Sequence, residues 1–433
     1  MSEKFKLGLT RNRLFSLDNT VVFVGVCPCP LDEVECAKVI KMLSVKEPVI
    51  TGVIELEDDS VACIVTEKHE PVVSFSDESV NDVLTRYEKD GIDFSQCLFE
   101  FTVCGGNSLV IGAHTAVCDS KSLLRLAMEF VEFYTHKSIS VEPSDIVTFP
   151  DMQSLPAKLN SPVIDKLSAD IESKWKKKRV HFDVSDCRRA IEKYSAEKST
   201  VCCIEVCFSS EFYESAVQYC GENGIDVSSL VAYGFYDTLN KYVDAPKKAR
   251  KLSAYSDRRL FVSGMDKCRV GAFNGYVDVS LKGRDEKKDT IERVKAFHKA
   301  RYKGVTSAFR SFYDELLLMK LPAECCDASY MSVAGCYSSS AAKRLANGYG
   351  CSDSRIMSYF SCDFRQAYWS GLSFFEDVKV FEPFVHRFYS MVDTFMSDKG
   401  IVVSFRYDKL RISDDDAQKI VSEAKECVLS FLD

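Results

Sequence analysis

The chain has 433 residues, a length that fits two domains or subdomains of roughly 200 residues each. Its 46% hydrophobic and 12% aromatic residues are enough to bury a sizeable core, which excludes an intrinsically disordered chain. A formal net charge of -8 opposes a large phosphate-binding surface, so we expect no nucleic-acid partner.

The 19 cysteines lie within apolar patterns, as in Val201-Cys202-Cys203-Ile204, which favours reduced thiols that behave as small hydrophobes. Their spacing does not match a zinc site, so no metal is expected. The N-terminus is not followed by an apolar segment of signal-peptide length, and no apolar run approaches the ~20 residues that span a bilayer. We therefore expect a cytoplasmic protein without a membrane span.

The N-terminal part alternates predicted strands and helices. A β-branched run, Val21–Val26, predicts a buried strand that ends at two prolines, and helical spacing of apolar residues follows over Leu31–Leu43. Strands are predicted at Val49–Leu56 and Val61–Thr66. Ser76 is then a candidate N-cap for a helix through Tyr87.

The clearest hairpin of the chain joins predicted strands Leu98–Cys104 and Ser108–Ala113. Gly105, Gly106 and Asn107 separate them and supply the positive φ that tight turns require. A helix is predicted next, over Lys121–Tyr134, so the segment between His114 and Ser120 is a strand-to-helix connection.

Four prolines interrupt the pattern between about residues 138 and 162, which predicts a crossover linker. The predicted helix Ile164–Arg179 ends in a basic run, Lys174–Arg179, that either contacts a ligand phosphate or an acidic partner protein, or is a solvated helix end. We predict an N-terminal subdomain at 1–137, a linker and helix at 138–199, and a C-terminal subdomain at 200–433.

The C-terminal subdomain again mixes strands and helices. The predicted elements are strand Thr200–Phe208, helix Ser210–Cys220, a helix from about Ile225 to Leu239, strands Arg259–Val262 and Tyr276–Leu281, a long helix Thr290–Met319, strand Ile401–Tyr407 and a final helix. That last helix has a capping-box-like start, Ser413 with Asp416.

The connection after the hairpin carries a recognisable motif. His114-Thr115-Ala116-Val117-Cys118-Asp119-Ser120 resembles the His-His-x-x-x-Asp-Gly element of the CoA-dependent acyltransferase superfamily, which includes chloramphenicol acetyltransferases, condensation domains and plant O-acyltransferases. The first His and the Asp are present. Thr115 replaces the second His and Ser120 replaces the Gly.

The resemblance implies an α/β (α+β) fold of two chloramphenicol-acetyltransferase-like subdomains, with mixed sheets and a tunnel between them. In this family the second His is the base that takes the acceptor's proton, and the Asp holds the loop by pairing with an Arg. The base position therefore belongs to Thr115, whose hydroxyl is not basic enough at pH 7 to replace an imidazole. His114 acts either as a displaced base or as structural support.

Weaker similarities lie elsewhere. Arg13-Leu14-Phe15 is similar to an Arg-Leu-Trp element of condensation domains, which makes Arg13 a candidate partner of Asp119. Ser358–Ser361 resembles a Ser-Asn-Leu-Gly element near the tunnel, and Asp363-Phe364-Arg365 resembles the Asp-Phe-Gly-Trp-Gly signature of plant acyltransferases. Cys118 is interpreted as an inert thiol, because no Cys-His-Asn context surrounds it.

The resemblance implies an acyltransferase that moves an acyl group from a CoA or carrier-protein thioester to a hydroxyl or amine acceptor. The candidate catalytic residues are His114, Thr115 and Asp119. No permanently bound cofactor is expected. The partners would be a small-molecule acceptor and an acyl carrier protein. The alternative is a catalytically inactive binding or scaffold protein, which Thr115 favours.

Overall fold

The computed structural model describes residues 3–7, 18–57, 61–136, 141–146, 159, 161–177, 179–244, 250–262, 269–283, 285–348, 355–363, 370–385 and 388–432. The elements of the first part are, in order, β1 (Lys4–Lys6), β2 (Thr20–Val26), α1 (Glu33–Lys46), β3 (Val53–Glu57), β4 (Val61–Val65), β5 (Val72–Ser76), α2 (Val80–Asp90), β6 (Phe99–Cys104), β7 (Ser108–His114), α3 (Ser120–Thr135), α4 (Pro162–Trp175) and α5 (Val184–Glu197).

The second part has more helices before its last strands. Its elements are β8 (Val201–Phe208), α6 (Ser210–Asn223), α7 (Val227–Tyr242), β9 (Lys251–Asp257), β10 (Asn274–Val279), α8 (Thr290–Val305), α9 (Ala308–Ser311), α10 (Tyr313–Leu318), α11 (Ala323–Val333), α12 (Ser340–Gly348), β11 (Arg355–Asp363), β12 (Asp377–Phe381), β13 (Ser390–Ser397), β14 (Gly400–Asp408) and α13 (Asp414–Leu429).

Within the described residues the strands form three sheets. The orders are β1-β4-β3, β12-β2-β7-β6-β5 and β10-β9-β11-β13-β14-β8. The two larger sheets are mixed, because β5 runs parallel to β6 and β11 runs parallel to both β9 and β13. The expected mixed α/β architecture is confirmed.

The five-stranded sheet is covered by helices on both faces. Phe23 and Ile111 point into a large apolar cluster that includes α3, whereas the alternating residues Val22 and Val110 face α2. In the six-stranded sheet, Tyr255 and Phe360 belong to the same large cluster as Phe23. The two larger sheets therefore share one core, and the start of α3 lies at their junction.

β12 crosses from the second part of the chain to the first sheet. It pairs antiparallel with β2, with Phe381 opposite Val22, and forms one edge of the five-stranded sheet. The polypeptide then returns to the six-stranded sheet as β13. The boundaries 1–137, 138–199 and 200–433 stay a prediction, and this exchange makes the two parts interdependent.

Local sequence signals gave the most accurate predictions. The hairpin is confirmed as antiparallel β6 and β7, with positive φ at Gly105 and Gly106. The final helix is capped as expected, since Ser413 accepts a hydrogen bond from the backbone N–H of Asp416. In each case a few adjacent residues determine the conformation.

Other element predictions were wrong. Ser76 ends β5, and the following helix is capped instead by Ser79, which forms a capping box with Asp82. Residues 258–261 form a 3-10 turn after β9 rather than a strand, because arginines replace the alternating pattern there. The long helix over 290–319 is three helices that break near Thr306 and Phe312.

The helix predicted to reach Arg179 ends at Trp175, whose side chain is buried. Most of the linker predicted between residues 138 and 162 lies outside the described residues, as do Phe364 and Arg365. Among the helices described, none has the length and apolar character required to span a membrane.

Candidate active site

The strand-to-helix connection begins at the buried end of β7. His114 pairs with Thr20 of β2, and its ring packs edge-on against Phe94 with 5.9 Å between ring centroids. The Nδ1 atom of His114 accepts a hydrogen bond from the backbone N–H of Ala116 at 3.1 Å. His114 is fully buried, and its Nδ1 atom stabilises the turn that follows it.

Thr115 is partly exposed and follows His114 in the turn. Its backbone N–H donates to the carbonyl of Asn19 at 2.8 Å, which fixes the turn to the strand before β2. The residue that the motif resemblance puts at the base position is thus a hydroxyl in a fixed turn. Neutral Thr has no group that accepts a proton near pH 7 as an imidazole does.

Asp119 is the most fully bonded residue of the motif. It is the N-cap of α3 and accepts from the backbone N–H of Ser122, an arrangement that also suits the positive end of the helix dipole. The Arg259 guanidinium donates to both carboxylate oxygens, at 2.8 and 2.9 Å, and the N–H of Phe273 donates a further bond at 2.9 Å.

Arg259 is itself enclosed. Its side chain is 1% exposed, it lies over the ring of Phe273, and it also bonds the carbonyl of Arg269 and the hydroxyl of Ser122. Burial opposes its charge, but the Asp119 carboxylate holds the pKa of Arg259 above its ordinary value. The pair ties the motif to the second part of the chain.

Arg259 therefore fills the role for which Arg13 was the sequence candidate, and Arg13 lies outside the described residues. The signal for Arg259 was a basic pair, Arg258-Arg259, directly after the polar and apolar residues of β9. Arg258 is equally buried and pairs with Glu315. The sequence does not distinguish the two arginines.

Ser120, at the Gly position of the motif, contacts a residue that sequence reasoning missed. Its hydroxyl donates to the carboxylate of Glu382, which directly follows β12, and the hydroxyl of Tyr276 donates to the other carboxylate oxygen at 2.7 Å. Burial raises the pKa of Glu382 to about 7 against the lowering effect of these two hydrogen bonds. A glutamate 262 positions away gives no local signal.

A cavity of about 470 Å³ adjoins α3, and we call it the Lys121 cavity. Lys121 comes from α3, and the rest of the wall comes from the second part of the chain. Those residues are Val217, Cys220, Gly221, Ile225, Asp226, Val227, Ser228, Arg301, Ser361, Cys362, Asp363 and Met396. Ser361 and Asp363, from the two weaker sequence similarities, are thus brought together there.

Charged groups in the Lys121 cavity are paired. Arg301 donates to Asp226 at 3.1 Å, and Lys121 donates to Asp257 at 3.0 Å. His298 lies beside Asp226, with its Nδ1 atom 3.3 Å from a carboxylate oxygen. The hydrogen bond from His298 and the charge of Arg301 hold the pKa of Asp226 below its ordinary value despite burial.

A second, narrow cavity of about 20 Å³ lies beside α2, and we call it the Arg406 cleft. Its wall is formed by residues from both sheets and their connections. These are Asp18, Asn19, Thr20, Val22, Leu84, Tyr87, Glu88, Phe381, Glu382, Pro383, Phe384 and Arg406. Asn19 and Glu382 connect this cleft to the motif, since they contact Thr115 and Ser120 respectively.

The other sequence candidates do not join the site. Cys118 is fully buried, and burial raises the pKa of its thiol well above the ordinary value, which suits an inert residue. Lys174 and Lys176 pair with acidic residues one turn earlier on α4. In the part of the chain that the structure describes, no three His, Cys, Asp or Glu residues form a group that could hold a metal.

The fold of this chain is similar to the folds of several solved structures. The epimerization domain from the third module of tyrocidine synthetase B matches with a TM-score of 0.63 and 12% identity over 99% of this chain and 96% of that one. The cyclization-docking bidomain of EpoB from Sorangium cellulosum gives a TM-score of 0.66 and 13% identity, over 99% and 84%.

An O-acyl-transferring enzyme is similar to the same extent. The TRI3 trichothecene 15-O-acetyltransferase from Fusarium sporotrichioides matches with a TM-score of 0.63 and 9% identity, over 99% of this chain and 96% of that one. No family model and no curated protein sequence matches the chain. The chain therefore has the fold that these epimerization and condensation domains share with the acetyltransferase.

Proposed function

We propose that this protein transfers an acyl group from a CoA or carrier-protein thioester to a hydroxyl or amine acceptor, in a tunnel between its two parts. The proposal takes the reaction class from the fold of the TRI3 acetyltransferase and the condensation domains, and it assigns no identity to the acyl chain or acceptor. These proteins share under 15% identity with the chain, so the local geometry has to supply the argument.

The proposal depends mainly on the hydrogen bonds that fix the motif loop in place. Asp119 caps α3 and accepts two bonds from Arg259 and one from the backbone of Phe273, all in the interior of the protein. These bonds hold the loop in one conformation, as a loop that positions two substrates for acyl transfer requires.

The Lys121 cavity supports a donor site. Its volume of about 470 Å³ falls within the usual range for small-molecule pockets, and Lys121, Arg301 and Ser228 provide polar groups among apolar ones. The N-terminus of α3 adds a partial positive charge at the same position. Lys121 directly follows the motif, so a thioester bound here would lie next to the first turn of α3.

The direct test is release of free CoA from short- and long-chain acyl-CoA, with a mixed panel of alcohol and amine acceptors. The products should be separated by chromatography, because 19 cysteines would react with a thiol dye. We expect CoA release that depends on the acceptor. Release that equals a protein-free control for every donor and acceptor would overturn the proposal.

A second candidate function rests on a different observation. Thr115 stands at the base position, and His114 is buried with Nδ1 bonded to the loop, which together favour a binding or scaffold protein that does not turn over its ligand. Calorimetric titration with acyl-CoA distinguishes the two. Binding without turnover in the wild type, together with turnover in Thr115→His, would support the second candidate.

A further inference from the structure

The buried group formed by Ser120, Glu382 and Tyr276 joins three distant parts of the chain. Ser120 begins α3, Glu382 follows β12, and Tyr276 lies on β10. Both carboxylate oxygens of Glu382 are used, one by each hydroxyl. Glu382 is 1% exposed, and the Tyr276 side chain is partly exposed.

The backbone of Glu382 is fixed independently of its side chain. Its N–H donates to Asp393 at 3.4 Å and its carbonyl accepts from Arg406, while Arg406 donates two bonds to Asp393. Arg406 also contacts Glu88 on α2. The carboxylate is therefore directed toward α3 by a framework that includes both sheets.

The partners of Glu382 are hydroxyls rather than cations. In the part of the chain that the structure describes, no Lys or Arg pairs with this carboxylate; the nearest cations are committed to Asp119 and Asp393. A carboxylate held by two O–H donors is oriented to receive a proton from either of them. In this arrangement the carboxylate can act as the general base for a hydroxyl that is hydrogen-bonded to it.

The electrostatic surroundings suit a group that exchanges protons near neutrality. The groups that face Glu382 are Asp119 with Arg259, Asp393 with Arg406, the Cys118 thiol, the Tyr255 phenol, and the hydroxyls of Ser120 and Tyr276. Burial, and then the two neighbouring carboxylates, raise the pKa of Glu382 to about 7, while the two hydroxyls lower it. Glu382 lines the Arg406 cleft, and its partner Ser120 directly precedes Lys121 of the other cavity.

We infer that Tyr276 and Glu382 form the proton acceptor for acyl transfer, in place of the imidazole that Thr115 has replaced. Tyr276 contacts the acceptor substrate, and Glu382, behind it, receives the proton. This inference rests on the proposed function. It assigns the base to residues outside the motif, and it gives Ser120 the task of orienting Glu382.

The step balances without a further reactant. The acceptor's O–H or N–H proton passes to the phenol oxygen of Tyr276 as the phenol proton passes to Glu382. The acceptor oxygen or nitrogen then bonds to the thioester carbonyl carbon, and the carbon–sulfur bond breaks. The leaving thiolate takes the proton back from Glu382 through Tyr276, which yields a free thiol and an ester or amide.

The test uses Tyr276→Phe and Glu382→Gln in the 433-residue chain, with acyl-CoA and the acceptor that gives the highest wild-type rate. We expect each change to lower kcat about 100-fold with little change in KM, because general acid–base catalysis contributes on that order. The double variant should be no slower than either single variant. Wild-type kcat should rise with pH through about 7, and the residual rate of Glu382→Gln should lack that rise.

Tyr255→Phe is the matched control. Tyr255 lies opposite Tyr276 in the same strand pair and is buried, but its hydroxyl has no hydrogen-bond partner within the described residues. It should retain wild-type kcat. Thermal unfolding of every variant shows whether a rate loss reflects misfolding.

The outcomes separate the two proposals. A wild type that turns over every donor at the background rate defeats the proposed function and this inference with it. An active wild type with Tyr276→Phe at full rate defeats the inference alone, as does an unchanged pH profile in Glu382→Gln. A rate loss equal in Tyr255→Phe and Tyr276→Phe would also overturn it, since the effect would not depend on the hydroxyl bonded to Glu382.

Discussion

Asp119 and Glu382 are both buried beside the first turn of α3, and their partners differ in kind. Asp119 accepts from the Arg259 guanidinium and from the backbone N–H groups of Ser122 and Phe273. Among the described residues, the Glu382 carboxylate accepts from the hydroxyls of Ser120 and Tyr276 alone. One carboxylate is matched by a formal positive charge and the other by neutral dipoles.

The difference separates what the motif does for structure from what it can do for chemistry. A guanidinium that donates to both oxygens keeps a carboxylate ionised and fixed in orientation. Hydroxyl partners orient a carboxylate without fixing its charge, so its proton can be exchanged near neutral pH. Asp119 therefore fixes the conformation of the loop, and a group that exchanges protons near neutral pH has to be sought elsewhere.

The largest effect is expected on the Asp119 side of this comparison. Arg259→Ala leaves a buried carboxylate without its cation, and we expect it to lower the free energy of unfolding by about 3–5 kcal/mol. Urea denaturation of the variant and the wild type measures the change. Arg269→Ala is the control, because its partner Asp145 is 93% exposed and such pairs contribute at most about 1 kcal/mol.

Equal losses in Arg259→Ala and Arg269→Ala would contradict the assignment of Arg259 as the structural partner of Asp119. Asp119 could then no longer be contrasted with Glu382 as the carboxylate that a buried cation stabilises.

His114 belongs with Asp119 on the structural side. His114→Ala removes a buried ring from its contact with Phe94 and leaves the N–H of Ala116 without its acceptor, so we expect a loss of about 2–4 kcal/mol in stability. Thermal unfolding and urea denaturation measure it. A variant of unchanged stability that has lost all turnover would instead identify His114 as a displaced base.

The second carboxylate, Glu382, is tested by the pH dependence of the protein's stability. The folded-state pKa is about 7, above its unfolded value of ~4.5, so the folded state binds more protons and wild-type stability falls as pH rises from about 4.5 through 7. Glu382→Gln removes this dependence. We expect its stability relative to wild type to improve by on the order of 2 kcal/mol between pH 5 and pH 8.

Glu47, whose pKa burial also raises to about 7, titrates in the same window and remains in both proteins, so the difference between them isolates Glu382. Parallel stability curves for wild type and Glu382→Gln across this range would show that Glu382 stays ionised in the folded protein.

The sequence predicted the parts of this picture that depend on neighbouring residues. The hairpin before the motif and the cap of the last helix were correct, because turn glycines and a Ser-x-x-Asp cap act within a few residues. Asp119 was recognised from its spacing to His114. These features need no knowledge of the rest of the chain.

The partners of the motif could not be predicted, because they come from distant segments. β12 joins the first sheet although it lies near the end of the chain, and it brings Glu382 to Ser120. Nothing in Asp377–Phe381 distinguishes an edge strand of one sheet from a strand of the other. Arg259 could not be identified as the partner of Asp119 either, because the adjacent Arg258 is equally buried.

The smallest effect on stability is expected for Ser120→Ala, which alters the surroundings of Glu382 without altering those of Asp119. Ser120→Ala removes one of the two hydroxyl donors to Glu382 and leaves Asp119, Arg259 and Tyr276 intact. Because the bond from Ser120 lowers the pKa of Glu382, its loss should raise that pKa further and should cost about 1 kcal/mol in stability above pH 7.

The pH at which wild-type and Ser120→Ala stabilities diverge, measured by thermal unfolding from pH 5 to 9, gives the direction of the shift. An upward shift of the Glu382 pKa in Ser120→Ala would show that Ser120 of the motif influences the Glu382 carboxylate, although the two residues lie far apart in sequence. If the curves coincide, the contact with Ser120 does not influence the carboxylate. Ser120 would then be only a substituted helix residue, and the Glu382 proton would depend on Tyr276 alone.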